Sequence, residues 1–286
     1  LLNLQNEQIS SKNKIIEEKN KDITDSINYA KRIQTAILPV DTALSKHFDS
    51  FVYYRPKDIV SGDFYWVKEV GDRVFFSVVD CTGHGVPGAF MSIIGFNSLN
   101  RIVDDLMISE TGKILDKLNE LVIESITRET KEGITIRDGM DLCFCCYDKK
   151  RNTLHYSGAH NSLYLIRKPD SQLNGYEVNM ESNGRVLYEI KADKMAIGGS
   201  RNDNSYSTHT ITLEKGDSIY LFSDGYADQF GGPKGKKFMY KRFKELLLSI
   251  QTDSMEQQHQ KLESTIVTWM GPLDQLDDIC VMGVRV

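Results

Sequence analysis

The chain has 286 residues, and at roughly 150 residues per domain this length allows one large domain or two small ones. Its 35 Lys and Arg against 40 Asp and Glu give a formal net charge of −5, which argues against a protein that binds nucleic acid through the phosphate backbone. Hydrophobic residues make up 40% and charged residues 26%, as in a globular protein, and no apolar run approaches the roughly 18 residues of a membrane span.

The cysteines are odd in number and lie inside apolar stretches, at Cys81, Cys143, Cys145, Cys146 and Cys280. Their spacing matches neither a zinc site nor the disulfide framework of a secreted protein, which favours a reducing, cytoplasmic location. The chain opens at Leu1 without a Met or a signal-type segment, so we expect it to be part of a longer protein.

The first 38 residues lack Gly and Pro and carry an apolar residue at every seventh position, namely Leu2, Ile9, Ile16, Ile23, Ala30 and Ile37. The positions four residues further on hold Asn6, Asn13, Asn20, Ile27 and Gln34. This pattern predicts a weak parallel two-stranded coiled coil whose buried Asn residues set the register. We therefore expect residues 1–38 to form a dimeric stalk and residues 39–286 a separate domain. The alternative is a single amphipathic helix packed on that domain, and Pro39 ends the helix in both cases.

From about residue 50, short β-branched and aromatic runs alternate with longer helical patterns. The predicted strands lie near 51–55, 62–69, 74–80, 140–148, 153–158, 162–167, 207–213, 217–223 and 278–286. The predicted helices cover 87–107, 112–128, 238–250 and 255–270. Such an order predicts an α+β domain with mainly antiparallel sheets. The polar stretch 168–206, with turn signals at Asn174-Gly175 and Asn183-Gly184, is expected to form a surface hairpin and loop.

Aspartates occupy informative positions around the turn Gly71-Asp72. A two-residue hairpin there pairs residues whose numbers sum to 143, so that Asp63 faces Asp80. Directly opposed Cβ atoms lie about 5 Å apart, where like charges destabilise a sheet, and two carboxylates at that distance require a cation between them. Both faces of this hairpin are apolar, so we expect the two aspartates at a buried end of the sheet.

Two further aspartate positions flank predicted strands. Asp224 follows the strand that ends at Ser223, and Asp277-Asp278 opens the last strand. If these strands are antiparallel neighbours, their carboxylates share one sheet edge. Carboxylate oxygens suit Mg²⁺ or Mn²⁺ better than zinc. Two such ions about 3.5–4 Å apart would clamp a phosphoryl group and generate a hydroxide nucleophile.

Four motifs in this order resemble the metal-dependent type 2C (PPM) protein phosphatases: Ser61-Gly62-Asp63-Phe64, Asp80-Cys81-Thr82-Gly83-His84-Gly85, Ser223-Asp224-Gly225 and Asp277-Asp278-Ile279-Cys280. The resemblance covers roughly residues 35–286 and is greatest to the bacterial stage II sporulation E and sigma-factor-regulator branch. It implies a sandwich of two antiparallel sheets flanked by helix pairs. It also implies hydrolysis of phosphoserine and phosphothreonine by water activated at a dinuclear Mn²⁺ or Mg²⁺ centre.

The resemblance also implies roles for individual residues. Asp80 would bridge both ions, while Asp63 and the backbone carbonyl of Cys81 would serve one ion, and Asp224 and Asp277 the other. The neighbouring positions Asp278 and Gly83 would surround these ligands.

Some positions depart from the eukaryotic pattern of the family. Ile59 takes the place of the arginine that binds phosphate, which leaves Arg55 and Lys57 as candidates, or as solvated strand charges. His84 is a candidate general acid, or a structural histidine of the turn. We interpret His160 as a turn residue rather than a ligand.

By resemblance, the expected protein is the cytoplasmic phosphatase output domain of a larger sensor protein, with the sensor domain upstream and a homodimer formed through the N-terminal helix. The implied substrate is a phosphorylated STAS-type anti-sigma-factor antagonist. The alternative is a catalytically silent or switched-off domain that binds phosphoproteins, and the intact aspartates argue against it. A two-metal nuclease fits the carboxylates but not the acidic balance of the chain.

Overall fold

The structure, a computed structural model, describes residues 2–39, 42–126, 138–199 and 204–286. The chain divides into two compact units, Leu1–Ile37 and Leu38–Val286. The first unit is a continuous helix, α1 (Leu2–Ile37), so the predicted N-terminal helix is confirmed. Three isoleucines of the apolar series that repeats every seven residues are more than half exposed in this unit: Ile9 is 57% exposed, Ile16 55% and Ile23 58%. Two-stranded pairing of this helix stays a prediction.

The second unit is built mainly from β-strands. The strands are β1 (Asp49–Arg55), β2 (Phe64–Val70), β3 (Arg73–Cys81), β4 (Met140–Asp148), β5 (Thr153–Ala159), β6 (Leu163–Arg167), β7 (Val178–Ser182), β8 (Arg185–Ile190), β9 (His209–Thr212), β10 (Ser218–Phe222), β11 (Phe230–Gly231), β12 (Lys236–Lys237) and β13 (Ile279–Arg285). The helices are α2 (Thr42–Ser45), α3 (Gly85–Asn100), α4 (Thr111–Ile126), α5 (Gly225–Asp228), α6 (Tyr240–Ser249) and α7 (Met255–Met270). The π-helical turn Arg101–Asp105 continues α3, so the predicted helix over 87–107 is confirmed in two parts.

Two antiparallel sheets form the body of the domain. The described residues form a six-stranded sheet in the order β1-β13-β10-β6-β8-β7 and a five-stranded sheet in the order β2-β3-β4-β5-β9. A small separate hairpin pairs β11 with β12. Among the described helices, none has both the length and the apolar content that crossing a membrane requires.

Three apolar cores define the layers. The core between the two sheets includes Val74, Phe76, Val78, Leu165, Ile219, Leu221 and Met282. A second core packs the five-stranded sheet against α3 and α4, through residues such as Trp66, Phe75, Phe144, Leu99, Leu115 and Leu118. A third packs the six-stranded sheet against α6 and α7, through Tyr164, Phe222, Val281, Phe243, Leu262 and Ile266. The predicted sandwich flanked by helix pairs is therefore confirmed.

The hairpin β2–β3 has the predicted register. Its pairs run from Phe64 opposite Val79 to Val70 opposite Arg73, and the tight turn places Gly71 at φ +59°. A positive φ is readily adopted by glycine, which explains the turn residue. The hairpin is covered on both faces, as its apolar pattern indicated.

The segment 168–206 differs in part from the prediction. The turn Asn183-Gly184 forms as expected and closes the hairpin β7–β8. The hairpin is not confined to the surface, however, because β8 lies beside β6 and buries Val186, Leu187, Tyr188 and Ile190. The many polar residues of the whole segment concealed the short apolar run that follows the turn. Residues 200–203 of this segment, and the predicted helix end at 127–128, lie outside the described residues.

Candidate active site

The predicted aspartates come together at one edge of the sandwich. Asp63 directly precedes β2, and Asp80 is the penultimate residue of β3. Asp224 and Asp277 flank the ends of β10 and β13, which are antiparallel neighbours as the sequence analysis required. At this end the Ser223 N–H donates to the Cys280 carbonyl at 2.9 Å. The backbone N–H of Asp224 also donates a long bond to Asp80 Oδ2, at 3.5 Å, and this bond joins the two sheets.

The carboxylates at this edge repel one another, and Asp63 is buried whereas Asp80, Asp224 and Asp277 are partly exposed. Asp63 is only 2% exposed, and its Oδ2 atom is buried without a hydrogen-bond partner. Burial raises the pKa of Asp63 well above its usual range, and the nearby charge of Asp80 raises it further. The pKa of Asp80 is raised in the same way, first by burial and then by the charges of Asp224 and Asp277.

Asp224 is less enclosed than Asp63. Burial is the largest cause that raises its pKa to about 6, followed by the charges of Asp228 and Asp277. The ammonium group of Lys237 acts in the opposite direction. The net effect is that this carboxyl group, too, is harder to ionise in the folded domain than in water.

These residues fit a hard divalent cation. Within the described residues, no three acidic, histidine or cysteine side chains already have the arrangement of a metal-binding group. The unpartnered oxygen of Asp63 and the raised pKa values of Asp80 and Asp224 nevertheless mark a site where negative charge lacks compensation. A cation relieves this kind of strain, because it favours the ionised form of each carboxyl group and draws the oxygens toward itself.

A further carboxylate, Asp141, was not predicted. It lies on β4 directly opposite Asp80. Burial raises the pKa of Asp141, while the charge of His160 lowers it, so His160 lies near this cluster. His160 has φ +56°, consistent with its interpretation as a turn residue. Asp141 stands near the start of a predicted strand, but the pairing of that strand with β3 could not be read from the sequence.

Asp278 fixes the backbone around the site. Its two oxygens accept hydrogen bonds from the N–H groups of Lys57 and Gly62, each at 2.7 Å. The carboxylate therefore holds in place the chain that leads into Asp63. Its own N–H donates to Asp277 Oδ1 at 2.8 Å, which orients the neighbouring carboxylate.

Glycines allow the two site loops to touch. A Cβ atom on Gly62 would lie 2.4 Å from the carbonyl oxygen of Gly83, and one on Gly88 would lie 2.2 Å from the same atom. Only hydrogen side chains fit at these two positions. The Gly83 backbone, at φ +84°, turns the chain from β3 toward α3.

The remaining predicted residues also lie around this edge. His84 stands at the start of α3, with Nδ1 2.6 Å from Oδ2 of Asp58 and about half of its side chain exposed. Arg55 ends β1 opposite Ile279, and the contact of Lys57 with the site is made by its backbone. The Cys81 thiol has a pKa well above its usual range because it is buried, which agrees with an inert side chain.

Gln229 was also missed by the sequence analysis. It is fully buried, and its Nε2 donates to the carbonyls of Phe230 and Asp274, both at 3.0 Å. Its Oε1 accepts from the N–H of Leu276 at 2.9 Å. One side chain thus ties the segment after Asp224 to the segment before Asp277. A lone loop glutamine carries no sequence signal for such a role.

Comparison with known proteins agrees with this architecture. The family model described as Stage II sporulation protein E (SpoIIE) matches residues 70–286. Phosphoserine phosphatase RsbU of Bacillus subtilis (strain 168) is 23% identical over 209 residues, which are 73% of this chain and 55% of that protein. The chain therefore spans about half the length of this curated relative.

Two solved structures share the fold. The SiaA-PP2C domain of Pseudomonas aeruginosa has a TM-score of 0.78 and 29% identity, over 94% of this chain and 98% of that one. The PP2C phosphatase domain of SpoIIE from Bacillus subtilis, with a fragment of its regulatory domain, has a TM-score of 0.62 and 18% identity, over 83% and 62% of the two chains.

The sandwich and its flanking helix pairs have the architecture of PP2C-type domains. Within this class, the chain belongs to the stage II sporulation protein E (SpoIIE) family.

The bonds of Asp278 predict a loss of stability in Asp278→Asn. The amide offers one acceptor oxygen instead of two, so one of the two backbone N–H groups loses its partner. An unsatisfied buried donor costs about 1–3 kcal/mol in the free energy of unfolding, measured by urea denaturation. The control is Asp274→Asn, an exposed position in the same loop, and equal stability of the two variants would contradict the prediction.

The raised pKa of Asp224 predicts a pH dependence of the metal-free domain. Folding raises the pKa of this carboxyl group from its ordinary value of 3.8 to about 6, so the folded state binds more protons than the unfolded state in this window. The free energy of unfolding therefore falls as the pH rises from about 4 to about 6. Urea denaturation in EDTA across this range measures the slope.

Two controls accompany this pH experiment. Asp224→Asn removes one titrating group and flattens the slope, and Mn²⁺ restores stability at the upper end of the range because it competes with protons for the carboxylates. A slope that is identical in wild type and Asp224→Asn would refute the assignment to Asp224.

Proposed function

We propose that residues 39–286 hydrolyse phosphoserine or phosphothreonine in a partner protein, with water activated by two Mn²⁺ or Mg²⁺ ions. The observation that carries this proposal is the meeting of Asp63, Asp80, Asp224 and Asp277 at one edge, with a buried Asp63 oxygen that has no partner. Oxygen ligands of this kind suit hard cations. Family membership makes phosphate monoesters the expected substrates.

In this proposal the aspartates divide the work of holding the cations. The charge of Asp80 interacts with that of Asp63 and with those of Asp224 and Asp277, so Asp80 is the ligand that we propose both ions would share. Asp63 and the Cys81 carbonyl would hold one ion, and Asp224 and Asp277 would hold the other. Bound cations supply an activated water and neutralise the charge that develops on the phosphoryl group.

Other residues orient this centre. Asp278 fixes the backbone before Asp63, and Gln229 fixes the loops that carry Asp224 and Asp277. His84, held by Asp58, is the proposed proton donor to the leaving serine or threonine oxygen. Arg55 and Lys57 are the proposed phosphate contacts.

The substrate we propose is a phosphorylated STAS-type antagonist of an anti-sigma factor. The proposal rests on membership in the SpoIIE family and on similarity to RsbU. It places the domain at the output end of a bacterial signalling pathway, in the cytoplasm and downstream of a sensor domain.

We further propose that α1 dimerises the protein. The series Ile9, Ile16 and Ile23 repeats every seven residues and is more than half exposed within its own unit. Such an apolar stripe is stable in water when a second helix covers it.

The catalytic proposal predicts metal-dependent phosphate release from a phosphoserine protein. Turnover with Mn²⁺ should stop in EDTA. The rate of phosphate release should fall by more than about 100-fold in Asp80→Asn and in Asp224→Asn, because 100-fold is the upper end of the losses caused by removing a residue that only supports a metal ligand. The control is Asp170→Asn, an exposed residue in the segment after β6. Wild-type protein that binds Mn²⁺ but releases no phosphate would point instead to a switched-off or silent domain.

The dimer proposal predicts that Ile16→Ser/Ile23→Ser sediments as a monomer at concentrations where the wild type is a dimer. The matched control is Ile15→Ser/Ile33→Ser, which removes two equally apolar residues of α1, 50% and 47% exposed, outside the seven-residue series. Sedimentation equilibrium measures both. Equal effects of the two variants would contradict the predicted register.

A further inference from the structure

A groove lies beside the small hairpin that follows the catalytic edge. Its volume is about 890 Å³, and residues of the β11–β12 hairpin and of the C-terminal end of α7 line it. We call it the hairpin groove; its walls include Gly232, Pro233 and Phe238 on one side and Thr268, Trp269 and Leu273 on the other. None of these residues belongs to the aspartate cluster.

The walls of the hairpin groove are held by specific bonds. The N–H of Gly232 donates to the Trp269 carbonyl at 2.7 Å, and the Trp269 indole N–H donates to the Gln229 carbonyl at 3.1 Å. The guanidinium group of Arg242 covers the same indole at 4.7 Å. The groove is therefore preformed, and Leu273, 45% exposed, presents apolar surface within it.

Basic residues border the groove, because the exposed Lys234 stands between the wall residues Pro233 and Gly235, Lys236 follows them, and Arg242 covers the wall residue Trp269. Lys234 and Lys236 are called the lysine rim. The segment 232–244 contains six cationic residues and no acidic residue, in a chain with a net charge of −5; they are Lys234, Lys236, Lys237, Lys241, Arg242 and Lys244. Lys237 and Lys244 pair with Asp228 and Glu189. Lys234, Lys236 and Lys241 are exposed, so their charge faces the solvent.

The groove is connected to the catalytic edge through the backbone. The hairpin follows α5, which begins directly after Asp224, and Lys237 Nζ contacts Asp228 Oδ2 of that helix at 2.6 Å. Gln229 joins the base of the hairpin to the loop before Asp277. A segment bound in the groove would thus lie on the same structural unit as two of the site aspartates.

We propose that the hairpin groove docks an acidic and apolar segment of the phosphoprotein substrate, at a distance from its phosphorylated residue. This inference rests on the proposed phosphatase function. The lysine rim complements acidic side chains, and the groove walls accept the apolar ones.

The test uses two synthetic peptides. Both contain one phosphoserine. The first also carries an arm in which Glu and Leu alternate. A Gly-Ser linker of about ten residues, which spans roughly 17 Å, joins this arm to the phosphoserine segment. The second carries a Gly-Ser arm of equal length. The full chain with Mn²⁺ should have a kcat/KM about fivefold to tenfold higher for the first peptide, through a lower KM, and this advantage should shrink with added salt.

The variant Lys234→Gln/Lys236→Gln should abolish this advantage, and Leu273→Ser should reduce it. Both should leave turnover of p-nitrophenyl phosphate, which has no arm, within about twofold of the wild type. The matched control is Lys168→Gln/Lys215→Gln, which removes the same charge from two exposed lysines. Lys168 follows β6 and Lys215 precedes β10, at the end of the sheet away from Asp224. This control should keep the advantage.

Binding is measured separately from turnover, so that failure of the docking proposal differs from failure of the phosphatase proposal. An unphosphorylated, fluorescent Glu-Leu arm should bind the metal-free chain, and binding should weaken in Lys234→Gln/Lys236→Gln. If the chain hydrolyses p-nitrophenyl phosphate but has the same kcat/KM for the Glu-Leu peptide and the Gly-Ser peptide, the docking proposal alone is overturned. Arm binding without any turnover would support the groove and refute the phosphatase.

Two other results would assign the groove to a different occupant. A lower sedimentation mass in Leu273→Ser than in the wild type would assign it to a second copy of this chain. Equal loss of arm binding in the rim variant and the Lys168→Gln/Lys215→Gln control would show non-specific attraction to the whole surface. Either result overturns the proposal.

Discussion

The domain is organised around the repulsion between carboxylates that two sheets bring to a common edge. Asp63 and Asp80 come from the five-stranded sheet, whereas Asp224 and Asp277 flank strands of the six-stranded sheet. Left to themselves, such groups would move apart or take up protons, and the raised pKa values of Asp63 and Asp80 record this tendency. The apolar core between the sheets opposes the separation, so packing energy holds the acidic groups together.

Hydrogen bonds to the backbone and close backbone packing give that edge its shape. Asp278 uses both oxygens on backbone N–H groups, the Gly83 carbonyl is surrounded by Gly62 and Gly88, and buried Gln229 joins two loops. Each contact fixes a loop whose two ends are already held by strands, so little further conformational freedom of the backbone is lost. The result is a network of hydrogen bonds and close backbone contacts that frames the carboxylates.

Local sequence features predicted a large part of this arrangement. The turn Gly71-Asp72 sets the register of its hairpin and thus placed Asp63 near Asp80, and the apolar strands located Asp224 and Asp277. Asp141 and Gln229 escaped prediction because their partners lie far away in the sequence: Asp141 meets Asp80 only through the pairing of β3 with β4. The strand β8 escaped because its few apolar residues lie within a long polar segment. Short-range patterns thus give strands and turns, whereas the neighbours of a strand depend on the whole chain.

The position of β13 links the completion of the site to the folding of the domain. This strand lies between β1 and β10, and its pair Arg55–Ile279 joins residues that are 224 positions apart in the sequence. Closing so long a loop is among the slowest and most entropically costly steps in forming the sheet. Because Asp277 and Asp278 stand at the entrance to β13, a chain in which β13 is unpaired does not hold this aspartate pair at the edge. Assembly of this edge therefore depends on the pairing of β13 as well as on the local hairpin β2–β3.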